Sequence, residues 1–142
     1  MMKKLILDKN FLSLPCDKVS VQEGLQIAEL LREEFCLHEA AGIAANQIGI
    51  QKSVCLIDVG REIILINPEI IKAEGEVTYV EGCLSFPDQV VLTQRFANII
   101  VKATNHAGEL HFSTENLLEC VCVQHEVDHL NGITMFDRQY KG

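Results

Sequence analysis

The strongest chemical signal in the sequence is a pair of histidines four residues apart, in the stretch ECVCVQHEVDHLNG at residues 119–132. On an α-helix, residues four apart lie on one face, so His125 and His129 can direct imidazole nitrogens at one metal ion. Glu126 is too close to His125 in sequence to join them easily as a ligand, but it can hydrogen-bond a water and act as general base and acid. The pattern H-E-x-x-H on a helix therefore predicts a metal-dependent hydrolase.

The same spacing can also arise by chance on the exposed face of a helix. Here LLECVCV precedes the motif and LNGITMF follows it, which predicts a largely buried helix. Buried histidines without partners are unfavourable. The metal-site interpretation is therefore favoured over two exposed histidines.

A catalytic site of this kind usually takes three protein ligands and leaves one position for water, so one ligand is still missing. Cys120 lies about 140° round the helix from His125, at ~100° per residue, and faces elsewhere. Cys122 is on the correct side, but an ion between the histidines would lie about 7 Å along the axis from it, at ~1.5 Å per residue. A cysteine side chain does not span that distance, so neither upstream cysteine is expected to be a ligand.

Cys83 is the strongest remaining candidate, because in VEGCLSFPD it follows a glycine and leaves a predicted strand. Such a loop can bring a thiolate close to the helix and expose backbone N–H groups beside it. A buried cysteine in an ordinary strand turn is the alternative, and the spacing alone leaves both open. The other candidates are Cys16, Cys36, Cys55, His38, His106 and His111.

Two helices are expected to flank a region of strands. Ser20 and Glu23 form a capping-box pattern that begins a helix over residues 20–35, and a second helix over residues 115–130 ends at Asn131-Gly132. Between the first helix and the strands lies EAAGIAANQIGI, a run of small residues with too little bulk for an ordinary helix or strand face. The predicted strands are SVCLIDV, REIILIN, EVTYVE, QVVLTQ and NIIVKATN, separated by Asn-Pro, Phe-Pro-Asp and a hairpin turn NHAG that leads into ELHFS.

This order predicts an α+β fold, in which antiparallel sheets pack around a central C-terminal helix that carries HExxH, with one N-terminal helix. The 142 residues are expected to form a single domain over residues 1–142. A net charge of −8 argues against a nucleic-acid partner, and no apolar run is long enough for a membrane span or a signal peptide. Six cysteines without a signal peptide indicate a reducing compartment and free thiols.

Three stretches resemble the motifs of one family, the peptide deformylases, in the same order and with similar spacing. AAGIAANQ (40–47), EGCLS (81–85) and QHEVDH (124–129) resemble Gly-x-Gly-x-Ala-Ala-x-Gln, Glu-Gly-Cys-x-Ser and Gln-His-Glu-x-x-His. The segments LINPEI and MFDR are also similar to family sequence, so the resemblance runs from about residue 5 to residue 138. It implies removal of the N-formyl group from formyl-methionine at the start of new polypeptides, with release of formate.

The resemblance also implies roles for individual residues. A water activated by the metal would attack the formyl carbon while Glu126 takes its proton and later delivers one to the departing amine. The side chain of Gln47 and the backbone N–H of Leu84 would donate to the tetrahedral oxyanion. The metal ligands implied by the resemblance are Cys83, His125 and His129.

The small residues Ala41, Gly42 and Gly82 would let an extended peptide lie against the site as a strand. The methionine side chain would enter a pocket lined by one face of the C-terminal helix, although ordinary core packing explains each of those residues equally well. Glu81 would either contact substrate or position its loop. The pocket residues implied are Leu118, Val121 and Cys122.

The resemblance implies one divalent metal ion per chain. Cys-His-His coordination by itself suggests zinc, whereas the family typically works with Fe(II) and tolerates nickel or zinc, so Fe(II) is the expected native ion. The substrate partner is an N-formylmethionyl peptide, and a monomer in the bacterial cytoplasm is expected.

Three features depart from the family pattern. Ala40 replaces the first glycine of the first motif, and Val90 replaces an arginine that helps many members to hold substrate. The chain ends four residues after MFDR, without a long basic C-terminal helix, so ribosome docking by such a helix is not expected. Shortened chains of this kind occur among phage-encoded members, which makes a phage or a compact bacterium a candidate source.

Two other functions remain as alternatives. A zincin peptidase would take its third ligand from a downstream histidine or glutamate, but the 13 residues after His129 contain neither. A deformylase-like binding protein without catalysis is disfavoured because every residue expected to perform chemistry is present.

Overall fold

The computed structural model describes residues 5–142, which form three α-helices and six strands within that range. The α-helices are α1 (Lys9–Leu12), α2 (Val21–Phe35) and α3 (Leu117–Leu130). Three short 3-10 helices span Ala45–Ile48, Thr114–Asn116 and Met135–Arg138. The fold is therefore α+β, as expected.

The predicted helix over residues 20–35 is α2, and Ser20 caps it by accepting a hydrogen bond from the Glu23 backbone N–H at 3.1 Å. The short α1 was not predicted, because four residues carry no helical periodicity. The C-terminal helix begins at Leu117 rather than at residue 115. Asn116 accepts from the Glu119 N–H at 3.2 Å, and the preceding turn is a 3-10 helix.

Each of the two sheets has three antiparallel strands. The first contains β1 (Gly42–Ala44), β2 (Val54–Asp58) and β3 (Glu62–Ile66), and the second contains β4 (Glu69–Cys83), β5 (Phe86–Lys102) and β6 (Leu110–Phe112). The sheets have the orders β1-β2-β3 and β4-β5-β6, so β1 and β4 are edge strands.

The small-residue run EAAGIAANQIGI was predicted to have too little bulk for a strand face, but part of it forms the strand β1. Gly42–Ala44 pairs with β2, Gly42 opposite Ile57 and Ala44 opposite Cys55. A strand at a sheet edge needs backbone pairing rather than bulky side chains, and its small residues allow a close approach. A Cβ on Gly42 would lie 2.8 Å from the Leu56 carbonyl oxygen and 3.0 Å from Glu126 Cγ.

Two strand breaks predicted in the region of the second sheet are wrong. QVVLTQ and NIIVKATN form one strand, β5, and the Phe-Pro-Asp sequence lies at its start because the turn falls at Leu84–Ser85. The strand continues through Arg95, a residue whose charge is neutralised by buried carboxylates on β4 and α3. The breaks at Asn67-Pro68 and at residues 105–108 are confirmed.

The helix α3 is central, as predicted, and every residue from Glu119 to Leu130 is buried. One apolar cluster joins it to both sheets through residues such as Ile57, Ile99 and Val123, while a second packs α2 against the first sheet. Gly132 ends the helix with φ +75°, and a Cβ there would lie 2.5 Å from the Ser13 carbonyl oxygen. Within residues 5–142, no helix has the length and apolarity to cross a membrane.

Candidate metal centre

Three potential ligands converge where the end of β4 meets α3. The Cys83 Sγ lies 3.3 Å from His129 Nε2, which lies 3.2 Å from His125 Nε2. All three ligand atoms lie within 4.8 Å of one another, and in the described part of the chain this is the one group of three or more histidine, cysteine or acidic residues so arranged.

The spacing and chemistry of these atoms fit a divalent metal ion. Tetrahedral ligands with metal–nitrogen bonds near 2.05 Å and a metal–sulfur bond near 2.3 Å are separated by about 3.3–3.6 Å. The observed separations of 3.2 and 3.3 Å lie close to that range. Two imidazoles and one thiolate are a donor set for zinc and other transition metals, and three protein ligands leave a position open.

The two upstream cysteines lie apart from this group, as the helix geometry predicted. The Cys120 Sγ lies 3.6 Å from the Phe96 carbonyl oxygen and 3.7 Å from that of Ala97, both on β5. Cys122 is buried and borders a cleft. Burial raises the pKa of the Cys122 thiol well above its ordinary value, and the nearby Glu126 adds to this.

Glu126, which stands between the two histidines in the sequence, borders the cleft and is only 3 % exposed. Its Oε1 has no hydrogen-bond partner among residues 5–142. Burial raises the pKa of this carboxyl to about 7, a shift that His125 and Arg95 oppose and Glu81 supports. A carboxyl with a pKa near neutrality can both accept and deliver a proton at physiological pH.

Gln47 and Leu84 border the same cleft as Cys83. The Oε1 of Gln47 accepts from the Ala44 N–H at 2.8 Å, which fixes the orientation of the amide. Its Nε2 donates to Ser85 Oγ at 3.2 Å and lies 3.6 Å from the Cys83 Sγ. The amide N–H₂ of Gln47 is thereby directed towards the space beside the candidate metal.

A buried ionic network of Glu81, Arg95 and Asp128 supports His125. Of these three residues, only Glu81 was singled out from the sequence. Glu81 Oε1 lies 2.8 Å from His125 Nδ1, an arrangement that places the Nδ1 proton on this hydrogen bond and leaves Nε2 free for a metal. Arg95 donates to both Glu81 oxygens, at 2.6 and 2.7 Å, and to Asp128 at 2.5 Å. Of the two roles considered for Glu81, its contacts therefore support positioning.

Arg95 and Asp128 were missed by sequence reasoning. The signal that could have found them is the position of Arg95 on β5, where alternate residues such as Thr93 and Ile99 face inward. A buried cation requires a buried anion, so this position predicts a carboxylate partner. Arg138 also donates to Asp128, at 3.0 Å from both Nε and Nη2. Asp128 thereby joins the network to the C-terminal 3-10 helix.

The cleft has a volume of about 500 Å³ and is bordered by the edge strands β1 and β4. Edge strands offer unpaired backbone groups to an extended peptide. Of the two substituted residues among the departures from the family pattern, Ala40 borders the cleft, whereas Val90 is 72 % exposed on β5 opposite Gly82. All residues expected to bind substrate border the cleft: Ala41, Gly42, Glu81, Gly82, Leu118, Val121 and Cys122.

Replacing Arg95 with methionine is expected to lower the free energy of unfolding by about 3–5 kcal/mol at pH 7, because it leaves buried carboxylates without their cation. Burial would raise the pKa of Glu81, but hydrogen bonds from Arg95 and His125 outweigh it and hold the pKa at about 2. This pKa lies below the ordinary value of 4.5, so the stabilisation is present above pH 4.5 and is lost as the pH falls towards 2. Urea unfolding at pH 7 and pH 3 measures both effects.

The double variant Arg95→Met/Glu81→Gln is the control for that measurement, because it removes one buried charge of each sign. It is expected to recover part of the lost stability and to show a weaker dependence on pH between 4.5 and 2. Equal stability of Arg95→Met and wild type at pH 7 would contradict the proposed electrostatic role.

Comparisons with known proteins agree on one family. The sequence profile described as Polypeptide deformylase matches residues 2–141. A peptide deformylase of Aquifex aeolicus is 40% identical, covering 94% of this chain and 85% of that protein. A peptide deformylase of Heliobacterium modesticaldum is 50% identical over 68% of this chain and 65% of its own length.

Solved structures show the same fold. The crystal structure of a peptide deformylase from Thermotoga maritima has a TM-score of 0.89 at 29% identity and covers 99% of both chains. A class I type b peptide deformylase from Acinetobacter baumannii, solved with Met-Ala-Ser bound, has a TM-score of 0.87 at 27% identity, covering 97% of this chain and 98% of that one.

Proposed function

Because this chain belongs to the peptide deformylase family, we propose that Cys83, His125 and His129 hold its divalent metal ion and that Glu126 is its general base and acid. The activity of the family is removal of the N-formyl group from formyl-methionine at the start of new polypeptides. The observation that carries the residue assignment is the convergence of one thiol and two Nε2 atoms beside a buried carboxyl in a single cleft.

The chain's own residues account for the proton transfers and the charge that develops. When bound, a divalent ion in such a site supplies Lewis-acid polarisation and a lowered pKa for water. Glu126 takes a proton from the attacking water and delivers it to the amine nitrogen as the C–N bond breaks, so that formate and a free N-terminus result. The Gln47 Nε2 and the Leu84 N–H donate to the oxyanion that develops on the formyl oxygen as water adds to the carbon.

The substrate lies in the cleft as an extended strand between β1 and β4, along Ala41, Gly42 and Gly82. The absence of side chains at the two glycines lets the peptide backbone approach both edges closely. The methionine side chain enters the part of the cleft that Leu118, Val121 and Cys122 border on α3. The Met-Ala-Ser found in the Acinetobacter baumannii deformylase is a peptide of the expected product class.

The native ion is Fe(II), and zinc or nickel replaces it in protein purified in air. The protein works as a monomer in the bacterial cytoplasm, without a nucleic-acid partner. The six cysteines are all free, which supports a reducing compartment. The net charge of −8 disfavours binding to the phosphate backbone of a nucleic acid.

The direct test is release of formate from formyl-Met-Ala-Ser by protein loaded anaerobically with Fe(II), with acetyl-Met-Ala-Ser as the matched control. We expect turnover of the formyl peptide that disappears on chelation and returns with added Fe(II) or nickel. Absence of formate release from protein that holds one ion per chain would refute the catalytic assignment and favour a binding protein.

A further inference from the structure

We propose that Asn46 is a positioning residue for deformylation, one that holds Gln47 in register with the metal-binding helix. The inference rests on the proposed function of Gln47 as an oxyanion donor. Asn46 stands at the unspecified seventh position of Gly-x-Gly-x-Ala-Ala-x-Gln, so the motif that marks Gln47 assigns it no role.

The side chain of Asn46 joins two parts of the site that are distant in sequence. It is fully buried, and its Nδ2 donates to the backbone carbonyl oxygen of His129 at 2.7 Å, across 83 residues of sequence. That carbonyl lies in the last turn of α3, where no further helical N–H follows to bind it in the usual pattern. It accepts a second hydrogen bond from the Gly132 N–H at 3.1 Å.

This hydrogen bond fixes the position of Gln47 relative to a proposed metal ligand. Asn46 and Gln47 are consecutive residues of the 3-10 helix Ala45–Ile48, so a displacement of one moves the other. Hydrogen bonds to the Ala44 N–H and to Ser85 Oγ already orient the Gln47 amide. Neither bond fixes the distance between Gln47 and α3. An oxyanion donor works only at hydrogen-bonding distance from the position that the oxyanion takes, so small displacements reduce turnover.

The buried oxygen of the Asn46 amide, Oδ1, unlike its nitrogen, makes no hydrogen bond among the described residues. An unsatisfied buried acceptor is unfavourable, and an apolar side chain of the same shape avoids it. The amide is therefore better explained by what its Nδ2 holds in place than by packing.

The test compares Asn46→Leu, which has a similar shape but no donor, with Asn105→Ala. Asn105 makes the same kind of bond, from its Nδ2 to the Ile64 carbonyl oxygen at 2.8 Å, at a site away from the cleft. For Asn46→Leu we expect kcat on formyl-Met-Ala-Ser to fall roughly tenfold, with KM and metal content unchanged. For Asn105→Ala we expect a lower unfolding midpoint and wild-type kcat.

A double-mutant cycle identifies the group through which Asn46 acts. In a Gln47→Ala background, Asn46→Leu should have little further effect on kcat, since the donor that it positions is already absent. In the ¹H–¹⁵N spectrum of zinc-loaded protein, the side-chain amide of Gln47 should shift in Asn46→Leu and not in Asn105→Ala. This spectrum reports position without reference to activity.

Wild-type kcat in Asn46→Leu, or losses that multiply in the double variant, would overturn the proposal. Should Asn46→Leu fail to fold, Asn46→Ala decides the question, because it removes the donor without adding bulk or charge to this fully buried position. If wild-type protein itself released no formate, the proposed function would fail instead, so the two failures are distinguishable.

Discussion

The variant Glu126→Ala is expected to bind one divalent ion as wild type does and to release formate about a hundredfold to ten-thousandfold more slowly, the range typical for loss of a general acid–base. Metal binding should survive because Glu126 is not one of the three converging residues proposed as ligands. Turnover should be lost because Glu126 is the carboxyl in the cleft whose pKa, raised by burial to about 7, suits both proton transfers. Metal content and the rate of formate release measure the two effects separately.

Two further variants serve as controls for Glu126→Ala. Glu126→Gln keeps the shape of the side chain but cannot accept the proton, so it should be equally slow. Glu115→Gln removes a charge from the exposed 3-10 turn before the same helix and should retain full activity. Glu126→Gln with wild-type kcat would show that another group moves the proton.

The raised pKa of Glu126 also predicts the effect of Glu126→Gln on stability. The folded protein holds this proton up to about pH 7, above the ordinary carboxyl value of 4.5, so ionisation destabilises the folded state as the pH rises. Metal-free Glu126→Gln protein at pH 8 should therefore be at least as resistant to urea as wild type.

The variant Cys83→Ala is expected to lose at least about a hundredfold in metal affinity, since even loss of groups that only orient ligands typically costs ten- to a hundredfold. Its Sγ lies 3.3 Å from His129 Nε2, and without it two imidazoles remain to hold the ion. Turnover should fall with metal content. Competition against a chromophoric chelator measures the affinity, and formate release measures the turnover.

Two controls separate ligand loss from general damage. Cys36→Ala removes another thiol, one that donates to the Arg32 carbonyl oxygen on α2, and should leave metal affinity unchanged. Cys83→Asp supplies an oxygen ligand at the same position and should recover part of the affinity lost in Cys83→Ala. A Cys83→Ala protein with normal metal content and normal turnover would refute this ligand assignment.

Local periodicity determined the helical half of the candidate site. His125 and His129 share a face because an α-helix turns once in 3.6 residues, and this holds wherever the helix lies. The same argument removed Cys120 and Cys122 from the ligands. The start of α2 followed from Ser20, which caps the helix through a bond to its own third residue.

Predictions that depended on how far a strand extends were less accurate. The small residues of β1 are held in a strand by β2, and β5 runs unbroken through Arg95 because Glu81 and Asp128 neutralise it. Neither partner is near in sequence. Composition could not show these elements, because the groups that stabilise them are brought together by pairing and burial.

The sequence by itself determined the motifs, the two candidate histidine ligands with their carboxyl neighbour, and, through resemblance to a family, the choice of Cys83 as the third candidate. The tertiary structure decided which distant groups meet: Cys83 with His129, Glu81 with His125 and Arg95, and Asn46 with the His129 carbonyl. The physical reason is that helix geometry repeats over a few residues and can be read locally. These contacts, across 14 to 83 residues, depend instead on sheet register and on burial of the core around α3.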